Sequence, residues 1–167
     1  NYNLDDIIFT GNSSSSYVTL LLALKIPIEK ALIENNKIMK EISNLTFGPI
    51  YNYYDTAKKY IYKYFEENID IDVKDINNLY IQITNINNSY NPKNWESLFI
   101  NNWESLDDLF NCMKSSSFIP IFGKSLTNEY RDMRCIDGGV NYYLKNSSHS
   151  TCKFEKSKYI HTNIWRD

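Results

Sequence analysis

Two short apolar runs in this chain each end in a tight turn that carries one reactive side chain. Near the start, the run 7–12 leads into Ser13, and a further apolar run from Val18 to Leu24 follows. Near the end, the run 133–136 leads into Asp137. A serine at the apex of a turn between a strand and a helix exposes its hydroxyl, and the first N–H groups of the helix point at negative charge developing there. The first segment is therefore a candidate site for a serine nucleophile.

The residues around Ser13 are small, as such a turn requires. Gly11 stands two positions before the serine, where a Cβ atom would collide because strand and helix almost touch. The position two after the serine, which is glycine in a G-x-S-x-G elbow, is Ser15. The motif is therefore degenerate, and Ser15 is expected to crowd the turn.

Each reactive residue also has a purely structural interpretation. Ser13 could be the N-cap of the following helix. Asp137 could be a turn residue that bonds its own backbone ahead of Gly138-Gly139. Taken singly, the structural interpretations are favoured, and the residues alone leave both alternatives open.

Three blocks occur in an order that resembles the patatin-like phospholipases, especially the branch containing the adipose triglyceride lipases. The resemblance covers most of residues 4–144. The blocks are Gly11-Asn12-Ser13-Ser14-Ser15, Ser115-Ser116-Ser117-Phe118-Ile119-Pro120 and Ile136-Asp137-Gly138-Gly139.

This resemblance implies a fold and an activity. The fold would be a three-layer α/β sandwich, with a central, mostly parallel sheet and helices on both faces. Ser13 would be the nucleophile and Asp137 its only side-chain partner, a Ser-Asp dyad that hydrolyses ester bonds of phospholipid or neutral lipid. Gly11, Ser15, Gly138 and Gly139 would support the elbow and the turn.

The sequence departs from this family at the oxyanion loop. The family places a glycine-rich loop upstream of the elbow strand, and only six residues precede that strand here. We therefore expect residues 1–167 to form one domain lacking that segment, completed by another polypeptide, and the chain alone to react weakly. The alternative is a catalytically inactive subunit that binds or supports a larger assembly.

Composition limits the other possibilities. A length of 167 residues with 43% hydrophobic content suits one core and one domain. A net charge of −2 argues against nucleic-acid binding. No apolar stretch approaches the roughly 20 residues of a spanning helix. We expect a soluble or peripheral protein that acts at a lipid ester or membrane surface.

The cysteines and histidines predict no further chemistry. Three cysteines without C-x-x-C spacing suggest reduced thiols in an intracellular compartment. The histidines lack zinc-ligand spacing to them, so we expect no metal and no cofactor. His149 lies in a polar run and is given no role. The cysteines are Cys112, Cys135 and Cys152.

The remaining pattern alternates helices with strands, which predicts an α/β sheet. Helices are expected from Pro27 to about Ile42 and from Tyr51 to Phe65, the second with an aromatic face that is either a core stripe or the lining of an acyl-chain groove. Strands are expected at 79–84 and 98–100. Ser105 should cap a helix, with Asp108 at its N3 position.

Overall fold

A computed structural model describes residues 7–44, 53–68, 70–86, 89–120 and 125–144 of this chain. Five strands form one sheet, and two short 3-10 turns, Val73–Asp75 and Pro92–Asn94, flank β2. The strands are β1 Phe9–Asn12, β2 Leu79–Asn85, β3 Glu96–Ile100, β4 Asn128–Tyr130 and β5 Met133–Ile136. The helices are α1 Ser15–Ala23, α2 Ile28–Asn44, α3 Tyr53–Asn68, α4 Leu106–Ser116 and α5 Val140–Leu144.

Strand β2 is the centre of the sheet. Its residues 81 and 82 pair with both β1 and β3, so β1 and β3 lie on opposite edges of β2. Residues 84 and 85 pair with both β3 and β5, so β5 also lies opposite β3. It follows that β1 and β5 share one edge of β2 and approach each other end to end near Ile83.

The α/β class is confirmed, and the sheet is mixed. Strands β1 and β2 are parallel, and their connection, in which the structure describes three helices, is long enough for the crossover that parallel pairing needs. The other three described pairs are antiparallel, in contrast to the mostly parallel sheet expected. Strands β4 and β5 form a hairpin through Arg131 and Asp132, both at positive φ (47° and 60°), as a type I′ turn requires.

Helices pack on both faces of the sheet. Leu79, Ile81 and Ile83 of β2 are fully buried in a core shared with α1, α3 and α4. The alternate residues of β2 face the other way. On that side α5 approaches β3, where Asn141 Nδ2 donates to Ser97 Oγ at 3.0 Å. The larger helical layer therefore covers one face, and α5 lies on the other.

The expected helices and strands are confirmed wherever the structure describes them. Pro27 directly precedes α2, and Ser105 Oγ accepts from the Asp108 N–H at 3.2 Å as an N-cap. Asp108 Oδ2 in turn accepts from the Glu104 N–H at 3.0 Å, one residue before the cap, rather than from the cap itself. The break expected at Gly48-Pro49 lies outside the described residues.

The aromatic face of α3 is part of the core. Tyr54, Ile61 and Phe65 are buried in the main cluster. Between α1, α2 and α3 a cavity of about 20 Å³ remains, lined by residues that include Tyr60 and Tyr64. This space holds about one water molecule. The packing favours the core stripe over the acyl-chain groove. Within the described ranges, no helix is long and apolar enough to cross a membrane.

Candidate active site

Ser13 lies at the apex of the turn between β1 and α1 in a left-handed backbone conformation. Its φ is 50°, a region that non-glycine residues seldom adopt. The Ser13 carbonyl accepts from both the Ser16 N–H at 3.1 Å and the Ser16 hydroxyl at 2.7 Å. Backbone strain of this kind is concentrated at functional sites, where the surrounding structure enforces it. The local geometry is that of a nucleophile elbow.

Gly11 allows β1 and α1 to approach each other. A Cβ on Gly11 would lie 2.8 Å from Ser16 Cα and 2.8 Å from Thr19 Oγ1, closer than real Cβ contacts. No glycine in the described residues has a positive φ, so Gly11 is required for space and not for backbone freedom. The expected role of Gly11 in the elbow therefore has a steric basis.

The Ser15 hydroxyl bonds to the backbone of the last residue of β1. It donates to the Asn12 carbonyl at 2.6 Å and accepts from the Asn12 N–H at 3.2 Å. These bonds join the last residue of β1 to the first residue of α1. The Ser15 hydroxyl therefore satisfies two backbone groups of Asn12, which favours a supporting role for Ser15, while the expected crowding stays a prediction.

Asp137 directly follows β5, whose last residue lies close to the last residue of β1 along β2. The two strands run toward each other along one edge of β2, so Ser13 and Asp137 follow facing strand ends. Gly138 makes this approach possible, because a Cβ there would lie 2.1 Å from the Gln82 carbonyl oxygen and 3.3 Å from Asn12 Cβ. The sheet topology brings together two motifs that are far apart in sequence.

The Asp137 carboxylate is buried and accepts a hydrogen bond from the backbone of its own turn. It is 9% exposed, and Oδ1 accepts from the Gly139 N–H at 2.8 Å. Burial raises the pKa of Asp137 above its usual value, and the bond from Gly139 partly opposes that rise. The Ser13 side chain also acts on this carboxyl and lowers its pKa. Asp137 can therefore bond its own turn and interact with Ser13 at the same time. Its raised pKa makes the carboxylate a better base.

The Ser115–Ser117 block lies directly against both turns. The Ser116 carbonyl accepts from the Ser13 N–H at 3.1 Å and the Gly138 N–H at 2.7 Å. The next two carbonyls accept from the Tyr54 hydroxyl at 2.9 Å and the Asp137 N–H at 3.0 Å. The Ser116 and Ser117 carbonyls belong to the end of α4, which leaves them without helical partners, and Phe118 follows directly. Sequence reasoning placed the block near the elbow only through the family, and no local signal indicated these contacts.

The backbone N–H groups at the start of α1 are the candidate oxyanion donors of the elbow. The N–H groups of Asn12, Ser13 and Ser16 all have acceptors. The N–H groups of Ser14 and Ser15 make no hydrogen bond to another described residue, and Ser14 directly follows the candidate nucleophile. This is the position that supplies one oxyanion donor in nucleophile elbows. A second donor from a glycine-rich loop is not found in the described part of the chain.

Other candidate groups do not join the site. Across the described residues, no cluster of three histidine, cysteine, aspartate or glutamate side chains could hold a metal ion. Cys112 and Cys135 are unpaired and fully buried. His149 and Cys152 lie outside the described residues.

Two polar side chains near the turns were missed by sequence reasoning. Gln82 and Asn141 are 8% and 5% exposed, and Gln82 Nε2 and Asn141 Oδ1 make no hydrogen bond in the structure. Gln82 is the register partner of Asn12. In the sequence, Gln82 lies between Ile81 and Ile83 at an alternate position of the strand, and this long polar side chain in a central strand was the available signal.

Comparison with curated proteins connects the chain to one distant relative. The human protein called patatin-like phospholipase domain-containing protein 4 is 27% identical over 139 residues, covering 81% of this chain and 52% of that protein. The chain therefore spans about half the length of this relative. No family model matches the chain, and no solved structure matches it at a comparable level. The fold, the elbow and this similarity agree with a distant relationship to patatin-like proteins.

Proposed function

We propose that this chain is a patatin-like lipid acyl hydrolase in which Ser13 and Asp137 form a catalytic dyad. The observation that carries the proposal is the placement of the strained Ser13 and the buried Asp137 at facing strand ends on one edge of β2. The Ser13 side chain also lowers the pKa of Asp137, which supports an interaction between them. The similarity to a phospholipase domain-containing protein supports lipid esters as the substrate class. We propose ester bonds of phospholipid or neutral lipid.

In this mechanism Asp137 removes the proton of the Ser13 hydroxyl as Oγ attacks the ester carbonyl. The carbon–oxygen bond to the leaving alcohol breaks, the alcohol takes the proton from Asp137, and an acyl-serine remains. Water then attacks the acyl group while Asp137 accepts its proton and returns it to Ser13. The Ser14 N–H, at the N-terminus of α1, stabilises the oxyanion in both steps.

A second candidate function follows from the shortage of oxyanion donors. Each missing donor costs on the order of 10²–10³ in rate. If the chain acts alone, its reaction would be slow, and the fold would serve as an inactive binding or structural subunit. If another polypeptide completes the site, it would pair with the outer edge of β1, which no described strand occupies. An open edge of this kind is a template for strand pairing.

A fluorophosphonate probe tests the hydrolase proposal. The chain should form a covalent adduct at Ser13, slowly, and Ser13→Ala and Asp137→Asn should abolish or strongly slow labelling. Hydrolysis of short p-nitrophenyl esters should exceed background only in the unaltered chain. Absence of labelling in a folded protein would favour the inactive subunit. Light scattering then tests the partner, since a stable monomer that unfolds cooperatively and binds no upstream segment would argue against completion by another polypeptide.

A further inference from the structure

Ser116 occupies a position that contacts both halves of the candidate site and the sheet beneath them. It is fully buried at the last residue of α4. Its carbonyl accepts from the Ser13 N–H and the Gly138 N–H, at 3.1 Å and 2.7 Å. Its hydroxyl donates to the Gln82 carbonyl at 2.6 Å and accepts from the Ser13 N–H at 3.0 Å. Every hydrogen-bonding atom of this residue that faces the site is therefore used.

We propose that Ser116 is the positioning residue of the dyad. By bonding to the Ser13 backbone, to the turn that contains Asp137 and to β2, it holds the strained Ser13 next to Asp137. The catalytic consequence of this inference rests on the proposed function. The geometric claim, that the Ser116 hydroxyl sets the contact between Ser13 and Asp137, stands separately.

The role of the hydroxyl follows from the strain at Ser13. A left-handed serine relaxes toward more favourable φ values unless its neighbours fix it. The Ser13 N–H is shared between two acceptors of Ser116, and the hydroxyl is itself anchored to the β2 backbone. Removing the hydroxyl leaves one acceptor for Ser13 and leaves the Gln82 carbonyl without this donor. The elbow then has freedom to rotate, and the Ser13 side chain moves away from Asp137.

Ser117 provides a matched control one residue along the chain. It is also buried, and its hydroxyl donates to the Met113 carbonyl at 2.9 Å, a bond within its own helix. Ser117→Ala therefore removes a buried serine hydroxyl without touching Ser13, Asp137 or Gly138. A purely structural role for Ser116 predicts similar effects of Ser116→Ala and Ser117→Ala.

The first measurement is the pH titration of the Asp137 carboxyl carbon by NMR, in protein labelled with ¹³C-aspartate and assigned with Asp137→Asn. Burial raises the pKa of Asp137, whereas the Ser13 side chain and the Gly139 N–H lower it. Among the described residues, no charged group adds to these influences. In Ser116→Ala the midpoint should move to higher pH. In Ser117→Ala it should not move. Equal midpoints in Ser116→Ala and the unaltered chain would overturn the proposal.

The second measurement is the rate of fluorophosphonate labelling at Ser13. Misplacement of reacting groups by about 1 Å costs up to about 10²-fold in rate, so Ser116→Ala should label roughly ten- to a hundredfold more slowly, and Ser117→Ala within about twofold of the unaltered chain. If the probe labels neither the unaltered chain nor the two variants, the hydrolase proposal fails. The titration of Asp137 still decides the role of Ser116. If Ser116→Ala does not fold, Ser116→Cys retains a weaker donor and should give a smaller upward shift of the midpoint. An unchanged midpoint in Ser116→Cys and a folded Ser116→Ala with normal labelling each contradict the proposal.

Discussion

Gly138 passes so close to Gln82 that a Cβ on the glycine would lie 2.1 Å from the Gln82 carbonyl oxygen. The D-G-G turn thus lies directly on the backbone of the central strand. This contact fixes the position of Asp137 relative to the sheet. It explains why Asp137 lies near the elbow that follows the neighbouring strand β1.

Gly138→Ala should strongly destabilise the protein. The clash is with backbone atoms of the buried strand β2, which cannot rotate away, so the turn must shift. Overpacking of this kind costs about 1–3 kcal/mol, occasionally more. Urea unfolding measures the loss, and Ser14→Ala is the control because Ser14 is exposed and caps nothing with its side chain. Unchanged stability of Gly138→Ala would contradict this placement of the turn.

Ser15→Gly should weaken the elbow and should not activate it. The variant loses the two hydrogen bonds to Asn12 and adds the entropic cost of glycine in a helix. We expect a loss of about 1–2 kcal/mol in the free energy of unfolding. Ser14→Gly separates the two effects, since it adds a glycine without removing a side-chain cap. Faster probe labelling in Ser15→Gly would show that Ser15 does crowd the site.

Ser13→Gly should be more stable than Ser13→Ala. Both variants lack the hydroxyl, but at a φ of 50° glycine has no Cβ penalty, whereas alanine keeps it. The difference should be about 1 kcal/mol, the size of the left-handed penalty. Thermal unfolding of the pair measures it. Equal stability of the two variants would mean that the elbow relaxes once the hydroxyl is removed.

Asp137→Asn should remove labelling at Ser13 and raise stability at neutral pH. The folded-state pKa of Asp137 is raised, so the ionised carboxylate costs stability above that pKa, and the cost disappears below the unfolded-state value, where both states are protonated. The gain over the unaltered chain should therefore be largest near pH 7 and vanish in acid. Each kcal/mol corresponds to about 2–4 °C in Tm for a chain of this size. A gain that grows toward low pH would contradict the raised pKa.

Cys112 and Cys135 should be unreactive in the folded protein. Burial raises the pKa of each thiol to about 12, so the reactive thiolate is scarce at neutral pH. In a Cys152→Ser variant, dithionitrobenzoate should titrate neither thiol until denaturant is added. Rapid reaction of one thiol in the folded state would show that the core around it opens.

The sequence by itself determined the local elements and the candidate residues. The apolar run ending at Gly11, the small residues after it and the periodic stretches of α2 and α3 depend on short-range rules, and the structure has helices and strands where those rules place them. Ser105 as a helix cap is also a local property. Ser13 and Asp137 could be selected because each follows an apolar run at a turn.

The tertiary structure decided how these elements meet. Strands β1 and β5 share one edge of β2, and no local pattern encodes that register. The role of Ser116 also depends on it, because a helix end has unpaired carbonyls in every protein, but only packing selects what donates to them. Packing also decides the role of Ser15. This residue departs from the G-x-S-x-G motif, but in the folded chain its hydroxyl donates to the Asn12 carbonyl. Long-range pairing reflects the whole packed chain, and for that reason the contact between the two motifs could be expected only from resemblance.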